Sequence, residues 1–372
     1  MLYLPTLVYW SSLGIVAYTY AGYPALVQVL SRLKPRTIEK KPIEPDVSIV
    51  LAAHNEEASI GRKLENLLEL DYPQNKKEIV VACDGSTDRT AEIVREYSGS
   101  GVKLVALEKP SGKPTALNRA LEVAEGEIVV FCDARQIIDK DALKILVSCF
   151  SDPQIGAVSG ELHIKGQKGP GLYWKYEKSI RAAEGRLDSV PGATGALFAI
   201  RRKLFRPIPP ESLLDDVYTP MQIVLSGYRT LFEPSAKVWD DEAEISTEFR
   251  RKARTLAGNF QILDHLPGIL NPLKNRIFWQ YTSHKLMRLV CPFALIGLLG
   301  SNLLLVLKPS PLWPLYLGTL AGQSALYALA LRGAILEPEK CGRFSRIAHT
   351  FVVLNAAALE GLKRYIKRDF AW

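Results

Sequence analysis

Three apolar runs in the first half of the chain end on groups able to do chemistry. VSIVLA (47–52) leads to His54, Asn55 and Glu56, EIVVAC (78–83) to Asp84 and Asp88, and EIVVFC (127–132) to Asp133. A fourth acidic feature, the adjacent pair Asp215 and Asp216, opens a segment with helical periodicity, and Gly112-Lys113 precedes another. Carboxylates so placed can hold a divalent cation or accept a proton, and a lysine at a helix start can meet a phosphate. Each has a plainer use as well. An aspartate after a strand forms turns or caps a helix, paired aspartates suit the positive end of a helix dipole, and Lys113 can simply be solvated. Recurrence on three successive strands weights the balance toward a shared site.

The stretch VVFCDARQ (129–136) sharpens the chemistry. A pair of metal-binding carboxylates is expected there, yet only Asp133 is acidic, and two residues on stands Arg135, a cation. A single protein acid suffices if a substrate's phosphates and water complete the shell, because Mg2+ retains such ligands.

The elements that must position these groups follow from the apolar pattern. The runs 47–52, 78–83, 102–107 and 127–132 are almost continuously apolar, as strands buried on both faces are. Ile60, Leu64, Leu67 and Leu68 keep helical spacing between the first two. The alternation predicts a doubly wound α/β sheet, which binds ligands beyond the carboxyl ends of its strands. No GxGxxG follows the first strand and no GxxxxGK[ST] occurs, which argues against a dinucleotide dehydrogenase and a P-loop NTPase. Further on, PGATGALFAIRR (191–202) is a glycine-rich turn where backbone can approach a ligand. EFRRKARTLAGNFQIL (248–263) is basic, as a solvated face or a membrane-surface patch also is.

With 372 residues the chain can bury a large core. Its five cysteines are scattered without CxxC or Cys/His spacing, so neither disulfides nor zinc are indicated. The net charge of +8 suits nucleic acid or a membrane surface, and its placement decides between them. Residues 7–30 are uncharged over a length above the roughly 20 residues needed to span a bilayer. SRLKPRTIEKK (31–41), with five basic residues, follows directly. This order is a membrane anchor rather than a cleaved leader, with the N-terminus outside and the next domain in the cytoplasm. Two later apolar stretches, 289–307 and 312–331, are separated by KPSP and form an expected hairpin of spans. The basic stretch 332–346 agrees with a cytoplasmic return, and 347–368, ending in Lys363, Arg364, Lys367 and Arg368, reads as an interfacial or re-entrant helix. The mixed aromatic and basic segment 266–289 reads as interfacial too. Because basic residues gather beside apolar spans and no aromatic stacking array is visible, nucleic acid is not an expected partner.

The motifs AAHNEEASI, CDGSTDRT, SGKPTALN, FCDAR, LLDDV and RKART, in this order over about residues 47–261, resemble the membrane-bound family 2 glycosyltransferases, the class of cellulose, hyaluronan and poly-N-acetylglucosamine synthases. The resemblance implies a GT-A type, Rossmann-like nucleotide-sugar-binding α/β domain inserted between transmembrane helices. The organisation it implies is an anchor and basic flank at 1–44, a cytoplasmic catalytic domain at 45–265, and interfacial and transmembrane helices at 266–372. It also implies that Asn55, Glu56, Asp84 and Asp88 line the base and ribose pocket, that Lys113 lies near the diphosphate, and that Asn118 supports the site. Asp133 stands at the family's DxD metal position, where the cation is Mg2+ or Mn2+, and Asp215-Asp216 at its acidic pair. RKART aligns with QxxRW: Arg254 is retained, whereas Arg251 and Thr255 replace Gln and Trp, which puts processive polymerisation in doubt.

The implied chemistry is displacement with inversion at the anomeric carbon of a nucleotide sugar, UDP-linked in the first instance. Asp216 is the expected base for an acceptor hydroxyl, with Asp215 beside it, and Arg254, Arg251 and Lys113 face the leaving diphosphate. The expected partners are the donor, a glycan or lipid acceptor, and the bilayer of the plasma (inner) membrane. A pore built from three or four spans calls for a homo-oligomer. The competing reading is a catalytically inactive membrane protein that binds sugar nucleotides. Asp133→Ala is expected to abolish metal-dependent turnover while Arg135→Ala only weakens it; equal activity of Asp133→Ala and wild type in a donor-hydrolysis assay would show that the site lies elsewhere.

Overall fold

The computed structural model describes residues 3–165, 172–241, 245–336 and 341–370. Part of the basic stretch 332–346 therefore lies outside the described residues. The chain divides into two compact units, neither continuous in sequence: residues 28–243 with 261–280 in one, and 1–27, 244–260 and 281–369 in the other.

The first of these units is built on an eight-stranded sheet among the described residues, ordered β3-β2-β1-β4-β7-β6-β8-β5. The strands are β1 Val47–Ala53, β2 Lys77–Asp84, β3 Val102–Leu107, β4 Ile128–Cys132, β5 Ile137–Ile138, β6 Ile155–Ile164, β7 Leu197–Arg201 and β8 Arg229–Asp240. The four apolar runs of the sequence become β1 to β4, which lie mutually parallel, Val47 facing Lys77 on one side and Ile128 on the other. β1 and β4 are buried almost throughout, as their unbroken apolar character requires. Ile60, Leu64 and Leu67 are fully buried on helix Ile60–Leu68 and join the core formed by β1 and β2.

Beyond β4 the sheet departs from an all-parallel arrangement. β7 runs antiparallel to β4, with Cys132 opposite Leu197, and antiparallel to β6, which is parallel to β8. Because β7 enters where β4 leaves, the glycine-rich turn ahead of it is delivered to the same rim as Asp133. Phe131 and Phe198, neighbours across that pair, stack at 4.6 Å.

The other unit is helical. Residues Tyr3–Leu33 and Phe278–Val306 form the two described helices that combine the length and hydropathy of a bilayer span. Each contains a π-helical segment, Tyr18–Gly22 and Thr282–Leu286, and the two segments are joined by a 2.7 Å hydrogen bond between Tyr18 and Ser283 hydroxyls. The expected second arm of the hairpin is helix Trp313–Ile335, in which Gly, Tyr and Gln dilute the apolar run. The terminal segment forms one amphipathic helix, Arg343–Lys367. It meets helix Ile245–His265 through small residues, with Ala253, Ala257, Ala357 and Ala358 buried. A Cβ on Gly361 would stand 2.8 Å from Ala257 N and 3.0 Å from Ala253 O, so the backbones there nearly touch. Phe260 and Tyr365 stack at 5.7 Å one turn further on.

Gly361→Val is expected to cost about 1–3 kcal/mol by overpacking this crossing, read as a lower melting temperature in detergent. Gly318→Val, at a position with nothing within 4 Å, is expected to leave that temperature unchanged.

Candidate active site

The carboxyl ends of β1, β2 and β4 collect most of the residues singled out by sequence. β2 ends on Asp84, which is buried, and its carboxylate reaches over to the turn before helix Lys113–Val123. Oδ1 accepts from Ser111 N at 2.7 Å and Oδ2 from Gly112 N at 2.8 Å. These two amides begin a helix and have no partner within it, so a carboxylate at that point satisfies both and opposes the helix dipole. The turn can pass this close because residue 85 is glycine: its φ is +58°, and a Cβ would lie 2.3 Å from Pro110 N. Asp84 thereby sets the backbone from which Lys113 projects.

Lys113 points into a group of carboxylates. Its Nζ lies 2.9 Å from Asp133 Oδ1 at the end of β4 and 3.3 Å from Asp215 Oδ2 at the start of helix Asp215–Leu225. Burial alone would depress the lysine, but Asp133, Asp215 and Asp216 reverse that effect and hold its pKa above the ordinary lysine range. The ammonium therefore stays charged at any physiological pH. Asp215 is 5% exposed, and its Oδ2, although within ion-pair reach of Lys113, accepts no hydrogen bond among the described residues. That orphaned acceptor and the half-exposed Asp133 are what a divalent cation would meet here. Among the described residues no three His, Cys, Asp or Glu side chains converge closely enough to hold a metal unaided. The fit is to an oxygen-seeking ion such as Mg2+ or Mn2+ whose remaining ligands are phosphate and water.

Asp216 is oriented by backbone. Gly195 N donates to its Oδ2 at 3.2 Å, and its own carbonyl accepts from Ala193 N at 2.7 Å. The glycine-rich turn is thus clasped to the acidic pair, and a side chain at 195 would press on that carboxylate, a Cβ falling 3.2 Å from Oδ2.

A partly buried arginine that the sequence did not advertise supports the turn. Arg181 donates to Thr194 Oγ1 and Ser159 Oγ, both at 2.8 Å, and lies 4.5 Å over the Phe232 ring. Burial pulls its pKa down, while Glu184, Asp216 and other nearby carboxylates push it back up. Its helix, Leu172–Leu187, is rich in charge, and no spacing marks which cation turns inward.

The remaining predicted residues fall into three groups. Asn55, at φ +52°, accepts from Thr87 N at 2.9 Å, and Asp88 accepts from Thr90 N at 3.0 Å and Glu57 N at 3.1 Å, so the first two loops brace one another. Glu56 is taken by Arg135, whose Nε donates to its two oxygens at 2.9 and 3.1 Å. The cation that replaces the second DxD acid is therefore directed to Glu56. Asn118 clamps a backbone segment, donating to Ile208 O at 2.8 Å and accepting from Ile208 N at 2.9 Å. Arg251 and Arg254 lie on helix Ile245–His265 in the helical unit, Arg251 exposed.

Asn118→Ala is expected to lower stability by about 1–3 kcal/mol through the unpaired Ile208 groups while leaving nucleotide affinity of the folded protein unchanged. Thermal melts paired with nucleotide titration check this, and a tenfold affinity loss would place Asn118 in contact with ligand.

Comparison with known proteins bears on the fold. The Glycosyl transferase family 2 model matches residues 48–208. A probable glycosyltransferase, YdaM, of Bacillus subtilis (strain 168) is 28% identical over 274 residues, covering 66% of this chain and 63% of that protein. A poly-beta-1,6-N-acetyl-D-glucosamine synthase of Staphylococcus epidermidis is 29% identical over 231 residues, 58% of this chain and 55% of that protein. The match thus spans less than two thirds of the length of these curated relatives. Among solved structures, the mannosyltransferase PcManGT from Pyrobaculum calidifontis, in complex with GDP-Man and Mn2+, shares the fold with a TM-score of 0.72 at 24% identity, over 96% of this chain and 99% of its own. The chain thus carries, at residues 48–208, a region that matches the Glycosyl transferase family 2 model; Asp84, Lys113 and Asp133 fall inside it, whereas Asp215, Asp216 and β8 lie beyond it.

Proposed function

We propose that the protein is an inverting glycosyltransferase of the plasma (inner) membrane, its catalytic unit cytoplasmic, moving a sugar from a nucleotide sugar to a hydroxyl of a polysaccharide or a membrane lipid. The observation that carries this reading is the convergence of Lys113, Asp133, Asp215 and Asp216 at the carboxyl rim of parallel strands. Such a cluster offers the two things the reaction needs, a base and a means of neutralising a departing diphosphate.

In this reading the acceptor oxygen attacks the anomeric carbon as the bond to the diphosphate breaks, the leaving group keeping the electron pair. Asp216, oriented by Gly195 N–H, takes the hydroxyl proton. Lys113 meets the developing charge on the diphosphate, from a backbone already fixed by Asp84. Asp133, with Asp215 nearby, would hold Mg2+ or Mn2+, which when bound supplies Lewis-acid charge to the same oxygens. Arg135, tied to Glu56, keeps its positive charge directed away from that cation.

The synthase relatives support an N-acetylhexosamine donor, and a UDP carrier is the first choice in this reading. A GDP-linked donor is the second reading, because the PcManGT complex, which contains GDP-Man, corresponds over nearly the whole of this chain. The two apolar helices support attachment to a bilayer and presentation of the acceptor there.

Purified full-length protein in lipid vesicles, given a panel of radiolabelled UDP- and GDP-sugars, is expected to yield a labelled product that Asp216→Asn reduces at least 10³-fold, on the order of a lost catalytic base. A ladder of products means polymerisation and a single lipid-soluble product means one addition. Nucleotide binding without turnover on any donor would establish the inactive binder instead.

A further inference from the structure

Lys113 occupies the position that the acidic residues leave for a cation. Its Nζ lies 2.9 Å from Asp133 Oδ1 and 3.3 Å from Asp215 Oδ2, with Asp216 close enough to act on it electrostatically. Arg135 is paired instead with Glu56, its Nε donating to both carboxylate oxygens. So the carboxylates have a counter-charge within the protein itself, the Lys113 side chain.

We propose that Lys113 is the resident cation of this site, releasing Asp133 to a divalent ion only when a nucleoside diphosphate offers its ammonium new acceptors, so that metal binding is conditional on nucleotide. The inference rests on the donor-binding reading above and adds an order to it.

Three features make the exchange workable. First, a divalent ion approaching Asp133 in the ligand-free protein meets a positive charge within van der Waals reach of the same carboxylate, and like charges repel strongly in a half-buried site. Second, the ammonium cannot simply withdraw to solvent without loss, because Asp215 is buried and Lys113 is the cation within reach of its Oδ2 among the described residues. Third, only the lysine side chain needs to move. The amides of Ser111 and Gly112 are fixed by Asp84, so the base of the side chain is anchored at a helix N-terminus, where an arriving diphosphate is itself favoured. The side chain is 22% exposed, so it is not sealed from solvent. When phosphate oxygens replace Asp133 as partners of the ammonium, the carboxylate and the phosphates together become an oxygen cage for Mg2+ or Mn2+. Coupling of this kind is reciprocal, so the ion must tighten nucleotide binding by the same factor that nucleotide tightens the ion.

The test uses full-length protein in detergent and Mn2+ itself as probe, read by electron paramagnetic resonance, with UDP and GDP as nucleotides. Wild type is expected to bind Mn2+ at least tenfold more weakly alone than with saturating nucleotide, beyond what nucleotide in buffer accounts for. Lys113→Met is expected to bind Mn2+ without nucleotide at least tenfold more tightly than wild type, and adding Asp133→Asn is expected to remove the gain. Lys113→Arg, which keeps the charge, is expected to match wild type. Equal Mn2+ affinity of wild type with and without bound nucleotide overturns the proposal even if Lys113→Met fails to fold, as does a folded Lys113→Met that binds no more tightly. If neither UDP nor GDP binds wild type in the presence of Mn2+, the donor-binding reading itself falls, an outcome calorimetry separates from the other two.

Discussion

The Lys113 ammonium and the carboxylates around it are the constraint to which the sheet-bearing unit conforms. Asp133, Asp215 and Asp216 come from the end of a strand and the start of a helix more than eighty residues later, and without a cation among them their mutual repulsion would be severe in so sheltered a place. For one lysine to reach them, three chain segments must end at one point: β4, helix Lys113–Val123 and helix Asp215–Leu225. Asp84 secures the second of these by accepting the amides of Ser111 and Gly112. A glycine at 85 is what lets that turn press against Pro110. The result is a charged centre in which backbone amides fix Asp84 and Asp216, while Asp133 has the Lys113 ammonium as its partner.

The reversal of β7 contributes the other half of the site. In an all-parallel sheet, the turn at 191–196 would be carried to the rim opposite the strand ends. Running β7 against β4 brings it to Asp133 and allows Gly195 to donate to Asp216. β6, antiparallel to β7, and β8, parallel to β6, therefore end at that same rim, where His163 and Trp239 lie with ring centroids 4.8 Å apart. Arg181 beneath the turn has two hydroxyls and an aromatic face as partners for its partly buried charge.

The helical unit follows a different physical rule. Where helices are apolar on their outer surface, polar side chains turn inward and pair with one another. Tyr9 meets Thr319 at 3.0 Å, Tyr18 meets Ser283 at 2.7 Å and Asn355 donates to Tyr20 at 3.0 Å. Each joins residues far apart in sequence. Together with the close crossing at Gly361 they make this unit from segments at the two ends of the chain and a short piece of its middle.

Much of this was legible in the residues themselves. Continuous apolar runs announce β1 to β4 because a strand covered on both faces has no use for alternation, and the groups after those runs mark the rim because chain direction alone places them there. The apolar helices are equally plain, since a bilayer span is a matter of length and composition. What the residues could not announce was pairing. Nothing in the sequence shows that Asn118 pairs with both backbone groups of Ile208, and Arg181 reads as one charge among many until its neighbours are known. Arg135 looked like an obstacle to a cation, and only the approach of Glu56 shows where its charge is spent. The sequence by itself determined β1 to β4, the apolar helices and the inventory of charged groups, because these depend on local periodicity and composition. The tertiary structure alone decided which charges neutralise which, because an ion pair is set by distances of a few ångströms between residues that the chain keeps tens of positions apart.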